Sequence, residues 1–279
     1  MLDYRKNLGK LLFLDIETTS QKENFFDLKE TTQKLFIKRF KKDIDSKIES
    51  KIQRQILLNG KSENKNVEDI TNEVYKEMYN VKGSIFPEFG RILCISVGFL
   101  VKNPNEDFFQ LRTMSFSDED EKKLLSDFIN HEKLSLMLNK VPGKWDKNLE
   151  DYWALVSYNG KVFDYPFVSK RIIINGFKLP EIFDFSHLKP WETSSYLIDL
   201  KEVWQFSVWD ATVSMDTLSD VFNIPSSKDD IDGSEVKDIY YKEKDLNRIK
   251  IYCEKDVHCL SSLYLKMKSM PDEVRLFKQ

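Results

Sequence analysis

Cysteine is scarce in this sequence of 279 residues, and none of its hydrophobic runs is long. The three cysteines, Cys94, Cys253 and Cys259, are too few for a disulfide framework, and their spacing to the histidines does not match a zinc site. We therefore expect reduced thiols in a hydrophobic core. No apolar segment reaches the roughly 18 residues of a membrane-spanning helix, and the N-terminus lacks the pattern of a signal peptide. These absences predict a cytoplasmic protein of bacterial or phage type that does not contact a membrane.

An excess of charge of one sign is also missing. The chain has 43 Lys and Arg residues, 46 Asp and Glu residues, and a formal net charge of -3. This balance excludes a highly basic nucleic-acid coat protein, although it permits a local basic patch. The hydrophobic fraction of 41%, with 13% aromatic residues, can fill a sizeable core and excludes a disordered or collagen-like chain. The length suits one elaborated domain spanning residues 1–279, with two domains as the alternative.

Short apolar segments alternate with helical patterns along most of the chain. We predict strands at residues 11–17, 91–100, 108–116, 154–158 and 196–200. The second and third strands flank a turn at residues 103–105 and form the pattern of a hairpin. Apolar residues at helical spacing predict helices from about Asp164 to Asn175 and from about Asp245 to Lys268. A hairpin followed by alternating helices and strands indicates an α/β fold, with a mixed sheet flanked by helices.

Residues 21–85 depart from this alternation. They contain no clear strand and are rich in Lys, Glu and Asn with spaced Ile, Leu and Phe, so we predict a helical, charged insertion after the first strand. Nine basic residues and three acidic ones fall between Lys34 and Lys61. Two interpretations are open: an ordinary solvated helix face, or a basic flap that grips phosphates.

Two acids stand at the end of the first predicted strand. Asp15 and Glu17 alternate along it, so their side chains start on the same face, about 7 Å apart. Unpaired carboxylates beside a buried apolar strand are costly unless a cation or hydrogen-bond donors compensate. Two acids separated by one residue are common in so charged a chain, so a purely structural role is the alternative.

Two later segments place further acids near helix starts and faces. Asn159 and Gly160 form a turn after a strand, and Asp164 opens the following helix, where it could be a cap or a ligand. Tyr252 and Asp256 are four residues apart and share one face of the last helix. An Asp on an inward-facing stripe needs a partner.

The three motifs occur in the order Asp-x-Glu, Asn-Gly-x-x-Phe-Asp and Tyr-x-x-x-Asp. In this order the sequence resembles the DEDDy branch of the DEDD exonuclease superfamily. It is most similar to the stand-alone predicted 3'-5' exonucleases related to the proofreading exonuclease domain of family B DNA polymerases. Residues 87–92, 227–234 and 252–257 look like segments of that family, and the likeness spans roughly residues 8–268. One departure is Tyr158, which stands where a His is expected before Asn-Gly.

The resemblance implies a ribonuclease H-like fold, with a mixed five-stranded sheet, and a site for two divalent cations, Mg²⁺ or Mn²⁺. Asp15 would bridge both ions, Glu17 and Asp256 would hold the ion that activates water, and Asp164 would contribute to the second ion. Tyr252 would orient the attacking water, because a phenol with a pKa of about 10 is a poor general base at neutral pH.

Substrate contacts follow from the same resemblance. Ile16 and Thr18 would contact the terminal nucleotide, and Asn159 and Phe163 the penultimate one. The basic residues expected to reach phosphates are Lys161, Lys170 and Arg171. For Phe163, a place in the hydrophobic core is the alternative to base stacking.

The function implied is metal-dependent 3'-5' hydrolysis of single-stranded DNA in proofreading, replication or repair. A DNA polymerase partner would be engaged in trans. One alternative is a 3'-5' exoribonuclease, because the same carboxylates can act on RNA. The other is a catalytically silent module that binds nucleic acid or tethers a polymerase, against which the retained acids and Tyr252 argue.

Overall fold

The computed structural model describes residues 8–57, 66–102, 109–142, 152–189, 191–208, 211–228, 230–269 and 274–276. The turn predicted at 103–105 and the basic residue Lys61 lie outside these ranges. The chain divides into two compact units, one formed by Met1–Glu17 with Ile92–Gln279 and the other by Thr18–Arg91.

A mixed sheet runs through the described part of the first unit. Its strand order is β5-β4-β1-β2-β3-β6. Strand β1 is parallel to β4, β4 is parallel to β5, and β3 is parallel to β6, whereas β2 and β3 are antiparallel. The strands are β1 Leu11–Ser20, β2 Gly90–Lys102, β3 Phe109–Ser117, β4 Ala154–Ser157, β5 Leu197–Asp199 and β6 Val274–Leu276.

The predicted five-stranded, ribonuclease H-like sheet is confirmed, and two details differ from the prediction. A sixth strand, β6, extends the edge beside β3; three residues are too short to produce a recognisable alternation in sequence. Strand β1 continues to Ser20, where a polar turn was expected to begin after Glu17. Its parallel pairing with β4 is at Leu11 to Phe13, so both acids lie past the paired segment.

Ten α-helices are described, three in the unit Thr18–Arg91 and seven in the other unit. In chain order they are α1 Glu30–Arg39, α2 Lys41–Leu57, α3 Val67–Lys82, α4 Glu121–Asn130, α5 Glu132–Leu138, α6 Asp164–Ile174, α7 Leu200–Gln205, α8 Met215–Val221, α9 Val236–Asp238 and α10 Leu246–Met267. The last helix matches its prediction closely, because Asp245 caps its start by accepting from Arg248 N–H. None of the described helices combines the length and hydropathy needed to cross a membrane.

The alternation of side chains along β1 decides which helix each residue meets. Leu12, Leu14 and Ile16 belong to one core, which includes residues of α4, α5 and α6. Leu11 and Phe13 belong to a second core, which includes Val257 and Leu260 of α10. Because side chains alternate with a period of two, Asp15 and Glu17 continue the face of Leu11 and Phe13 and so lie on the α10 side.

The unit Thr18–Arg91 has a core of its own. Helices α1, α2 and α3 enclose an aromatic cluster in which Phe36 contacts Phe40, Tyr79 and Phe89 at ring-centroid distances of 4.7, 5.5 and 5.1 Å. The contacts with Tyr79 and Phe89 are edge-to-face, an arrangement that adds stabilisation beyond the buried area. Three helices therefore occupy the segment in which the sequence predicted a helical insertion.

Candidate active site

The two acids of β1 meet a thiol from α10. One oxygen of Asp15, one oxygen of Glu17 and Cys253 Sγ all lie within 4.8 Å of one another. Glu17 and Cys253 are buried, whereas Asp15 is partly exposed. Cys253 Sγ donates to the carbonyl oxygen of Asp15 at 3.5 Å and contacts its Oδ2 at 3.4 Å. The strand alternation thus produces a compact group of donor atoms at the α10 side of β1.

Asp164 joins this group from the start of α6. Its carboxylate accepts a hydrogen bond from the backbone of Ile16, the residue between the two acids of β1. Burial raises the pKa of Asp164 to about 7, and the charges of Asp199 and Asp256 contribute in the same direction. Asp164 therefore has both of the roles considered for it: it is the first residue of α6, and it contacts the strand that carries Asp15 and Glu17.

Asp256 and Tyr252 lie on the buried face of α10, one turn apart. The Tyr252 hydroxyl and the Ser227 hydroxyl both hydrogen-bond the Asp256 carboxylate. Among the described residues, Asp256 Oδ1 is buried without a hydrogen-bond partner. A buried carboxylate oxygen without a donor is expensive to maintain, so this atom points to a ligand.

The four carboxylates raise one another's pKa values, because each negative charge makes ionisation of its neighbours less favourable. Burial raises the pKa of Asp15 well above its usual range, and three carboxylates raise it further, in the order Asp256, Glu17 and Asp164. Burial likewise raises the pKa of Glu17, again with a contribution from Asp256. A bound cation would offset the repulsion among these four carboxylates.

The donor set therefore fits hard divalent cations. Carboxylate oxygens are the ligands that Mg²⁺ and Mn²⁺ prefer, and a bound cation reverses the penalty that each acid suffers alone. The unpaired Oδ1 of Asp256 supplies an oxygen that the protein itself leaves unused. The residues able to hold such ions are those predicted from the sequence: Asp15, Glu17, Asp164 and Asp256.

Asp199 is a structural residue of the site that the sequence reasoning missed. Its carboxylate is buried at the end of β5 and accepts from Asn159 N–H at 2.8 Å and Lys161 N–H at 3.2 Å. Asn159 has a positive φ of 66°. A side chain at Gly160 would meet Ser157 Oγ at 1.8 Å, so only glycine fits this turn. Asp199 thus holds the loop that leads into Asp164.

Two of the basic residues predicted to reach phosphates have partners inside the protein. Lys161 Nζ bonds Glu202 Oε2 at 2.6 Å and Ser194 Oγ at 3.2 Å, and its side chain is only 13% exposed. Arg171 is buried and pairs with Glu121, to which its Nε donates at 2.9 Å. The expectation for Arg171 is wrong, because its position on α6 faces the core. Lys170 is exposed on the same helix.

The other residues predicted to contact nucleotides lie in different environments. The Ile16 side chain is buried in the core. Thr18 belongs to the other compact unit, in which its hydroxyl donates to Ser84 carbonyl oxygen at 2.9 Å. Phe163 is partly buried and packs against Phe167, with ring centroids 5.4 Å apart, so it contributes to the core as the alternative interpretation expected. The contacts of these residues with nucleotides remain predictions.

Tyr158, which replaces the expected His, has a structural partner. Its hydroxyl donates to the carbonyl oxygen of Val213. Burial raises the pKa of Tyr158 to about 12, so the phenol stays protonated. The departure from the family pattern therefore leaves the four acids untouched.

A mixed sheet of this topology, flanked by helices and with acids at the end of its first strand, is that of the ribonuclease H-like exonuclease fold. Comparison with protein families gives the particular group: residues 87–278 match the predicted 3'-5' exonucleases related to the exonuclease domain of PolB. This match covers more than half of the chain, and the chain belongs to that family. It includes Asp164, Tyr252 and Asp256 but begins after Asp15 and Glu17. No curated protein matches the chain.

Proposed function

We propose that this exonuclease removes nucleotides from the 3' end of single-stranded DNA with two divalent cations. The observation that carries the proposal is the convergence of four carboxylates, each with a raised pKa, around the partly exposed Asp15. Such a cluster weakens the folded protein unless it binds cations, and phosphodiester hydrolysis is the chemistry that a pair of cations serves in this family.

Each carboxylate has a defined part in holding the cations. Asp15, which is partly exposed and coupled to the other three acids, would hold both ions, Glu17 and Asp256 would hold the ion that activates water, and Asp164 would contribute to the second ion. When bound, these cations lower the pKa of water and stabilise the charge that develops on the phosphate and on the leaving 3'-oxygen. Asp164 reaches its position through α6 and its hydrogen bond to the Ile16 backbone.

Tyr252 orients the attacking water. Burial and the charge of Asp256 raise the pKa of its phenol well above the usual value, so the hydroxyl keeps its proton and acts as a donor and acceptor. A group that does not ionise at neutral pH cannot serve as the general base. Its hydrogen bond to Asp256 fixes the phenol beside the metal ligands.

The loop from Asn159 to Phe163 supports a single-stranded substrate. Asp199 accepts from the Asn159 backbone N–H, Lys201 Nζ donates to Asn159 Oδ1 at 3.0 Å, and Phe163 is only partly buried. Base stacking on an aromatic ring tolerates any sequence, as an exonuclease requires. The setting we propose is proofreading, replication or repair, with a DNA polymerase recruited in trans.

The test is degradation of 5'-labelled single-stranded DNA and an RNA of the same sequence, with Mg²⁺, Mn²⁺ or EDTA. We expect a 3'-to-5' ladder on DNA with either metal and none in EDTA. Asp15→Asn should abolish the ladder, whereas Asp220→Asn, a change at an exposed acid of α8, should preserve it. A ladder on RNA alone would show that the substrate is RNA. Binding of either nucleic acid without cleavage would show that the protein is a nucleic-acid-binding module.

A further inference from the structure

Asn159 is held at both its main chain and its side chain by the junction between β5 and α7. Asp199 Oδ1 accepts from the Asn159 N–H at 2.8 Å and from the Lys201 N–H at 3.0 Å. Lys201 Nζ in turn donates to Asn159 Oδ1 at 3.0 Å. The φ of Asn159 is 66°, a left-handed conformation that is uncommon for residues other than glycine. These bonds therefore fix a turn that the backbone alone does not favour.

The bond from Lys201 decides which end of the Asn159 amide is occupied. A lysine ammonium carries three donors and no acceptor, so the amide atom that faces it is the oxygen. Turning the amide over would place two donors against each other and lose the bond. Nδ2 and its two N–H donors therefore point away from Lys201. In the part of the chain that the structure describes, no group accepts a hydrogen bond from Nδ2.

The Asn159 donors lie in the turn that leads to the acid cluster. The Asn159 carbonyl oxygen accepts from Phe163 N–H at 3.0 Å, and Asp164 follows as the first residue of α6. Burial raises the pKa of Asp164, and the charge of Asp199 raises it further, which requires these two carboxylates to be close. The residue that fixes Asn159 is therefore a neighbour of one of the four acids.

We propose that Lys201 is a positioning residue, which presents the Asn159 amide donors to a hydrogen-bond acceptor on the bound strand. Every nucleotide carries such acceptors: the phosphate oxygens and, on the base, O2 of a pyrimidine or N3 of a purine. A contact of this kind requires no particular base, which suits an enzyme that removes nucleotides of any sequence. The inference rests on the proposed function, because it needs a nucleic-acid strand bound at the acids.

Lys201 acts through Asn159 and not on the substrate. Its side chain is partly buried, and its ammonium already donates to Asn159 Oδ1. A lysine that binds a phosphate releases counterions, so its removal flattens the salt dependence of binding, whereas a lysine that only orients an amide leaves that dependence unchanged. Loss of the Lys201 ammonium should therefore matter only while Asn159 is present.

The experiment is a double-mutant cycle on the Kd of 5'-labelled single-stranded DNA, measured in EDTA so that no cleavage occurs. Lys201→Met and Asn159→Ala should each raise Kd about tenfold, because each removes the effect of one well-placed hydrogen bond. The double variant should lose no more than either single variant. Lys201→Arg should restore Kd to within about threefold, since a guanidinium also donates.

Steady-state cleavage with Mg²⁺ completes the cycle. KM should rise about tenfold in Lys201→Met while kcat changes less than about threefold, because the Asn159 N–H still bonds Asp199 and the turn is kept. Lys133→Met is the matched control for the loss of one positive charge, because Lys133 is exposed on α5. This control should leave Kd, KM and kcat as they are.

A second readout does not depend on cleavage. The side-chain amide signal of Asn159 in ¹⁵N-labelled protein is identified by its loss in Asn159→Ala, and it should shift in Lys201→Met and on addition of single-stranded DNA to wild-type protein. Asn159→Asp keeps an oxygen for Lys201 but has no donor, so it should weaken binding at least as much as Asn159→Ala. These two measurements test the proposal if circular dichroism shows that Lys201→Met is unfolded.

The outcomes separate this role from the proposed function. An unchanged Kd in Lys201→Met or in Asn159→Asp would overturn the proposal. So would a double variant whose loss is the product of the two single losses, and a salt slope reduced by roughly 0.7 would then identify Lys201 as a phosphate ligand. Coupled losses of binding in a protein that cleaves neither DNA nor RNA would support the role of Lys201 and reject the proposed nuclease. Cleavage of DNA by wild-type protein, with single variants that bind as tightly, would do the reverse.

Discussion

Acidic side chains behave differently in the two compact units. In the unit Thr18–Arg91, Lys51 Nζ lies 2.5 Å from Glu77 Oε1 and 3.0 Å from Glu73 Oε1. The side-chain hydrogen bond from Lys51 lowers the pKa of Glu77. In the other unit, burial and neighbouring acids raise the pKa of Asp15. Paired charges on the surface cost the fold little, whereas a buried cluster of like charges reduces stability and indicates a binding role.

The strongest way to break this comparison is to neutralise one acid in each unit. Asp15→Asn should lower cleavage at least about a thousandfold, because several kcal/mol of cation stabilisation are lost and each tenfold in rate is about 1.4 kcal/mol. The same change should leave the metal-free protein at least as stable, because it removes a negative charge that three neighbouring carboxylates oppose. Asp256→Ala should also abolish cleavage, with nucleic-acid binding kept in part.

Glu77→Gln is the matched change in the other unit. Its acid has two lysine partners, so cleavage should be unchanged and the melting temperature slightly lower. Single-turnover rates and thermal melting in EDTA measure both quantities. Full activity in Asp15→Asn, or a melting temperature well below that of wild-type protein, would make Asp15 an ordinary structural residue.

A substitution of Arg171 tests whether this buried cation stabilises the fold or binds the substrate. Arg171→Met should cost about 3–5 kcal/mol of unfolding free energy, because it leaves Glu121 buried without its cation. The affinity of the folded variant for single-stranded DNA should stay the same. Lys170→Met changes the exposed neighbour and should alter stability by about 0.5 kcal/mol or less. Urea denaturation measures the stability, and DNA titration measures the affinity. A stable Arg171→Met variant that binds DNA weakly would support the phosphate contact first predicted for Arg171.

The order of elements and the acids could be predicted from the sequence, because each left a local signal. Apolar runs marked the strands β1 to β5, and helical spacing marked α10 to within one residue. Asp15 and Glu17 were recognisable from their strand alternation, and Tyr252 and Asp256 from their spacing of four.

What the sequence did not reveal depends on contacts between distant segments. Arg171 follows an exposed lysine on α6, and only the position of Glu121 on α4 shows that it points inward. Cys253 looked like a core thiol, and its contact with Asp15 joins residues 238 positions apart. Asp199 lay within the strand predicted at residues 196–200, and its role could not be inferred because it depends on a turn 40 residues earlier. Strand β6 was too short to carry a pattern.

The pH dependence of the free energy of unfolding tests whether ionisation of Asp164 destabilises the metal-free protein. In the unfolded chain an Asp ionises near pH 4, whereas burial raises the pKa of Asp164 in the folded protein to about 7. Between these values the folded state keeps a proton that the unfolded state has lost, so metal-free protein loses stability as the pH rises through this window. The loss from Asp164 is at most about 4 kcal/mol, at about 1.4 kcal/mol per pKa unit.

Urea denaturation in EDTA at about pH 4 and about pH 8 measures this dependence. Asp164→Asn should flatten it, and saturating Mn²⁺ should stabilise wild-type protein most at the higher pH, where the acids are easiest to ionise. If the free energy of unfolding in EDTA instead rises with pH over this window, the folded protein does not raise the pKa values of these acids.

Tyr252→Phe separates positioning from packing. The change deletes one hydroxyl that bonds Asp256 and keeps the ring, so kcat should fall roughly tenfold to a hundredfold with little change in the Kd of single-stranded DNA. Tyr240→Phe is the control, because Tyr240 belongs to the same hydrophobic cluster and its hydroxyl bonds Glu119 at 2.7 Å. Equal rates for Tyr252→Phe and wild-type protein would leave Tyr252 a core residue.

The smallest effect is expected from the basic segment of the unit Thr18–Arg91. Much of its positive charge is already engaged: Lys41 pairs with Asp45 at 2.7 Å, Lys47 and Lys51 pair with Glu77, and the Arg39 guanidinium lies 5.0 Å from the centre of the Phe86 ring. Lys38 and Lys42 are exposed on α1 and α2. The interpretation as a phosphate-gripping flap therefore rests on fewer charges than the sequence count suggested.

Salt dependence distinguishes the flap from a solvated helix face. Each phosphate contact releases counterions and contributes roughly -0.7 to the slope of log affinity against log salt for a single strand. If the flap binds DNA, changing Lys38, Arg39, Lys41 and Lys42 together to Gln should flatten the slope by about that amount per lost contact, with Mn²⁺ affinity unchanged. Lys47→Gln with Lys51→Gln is the control, because both lysines are ion-paired within the unit and should leave the slope as it is. Superimposable slopes for wild-type protein and the fourfold variant would mean that these side chains face bulk water, and that DNA is held by the unit that carries the four acids.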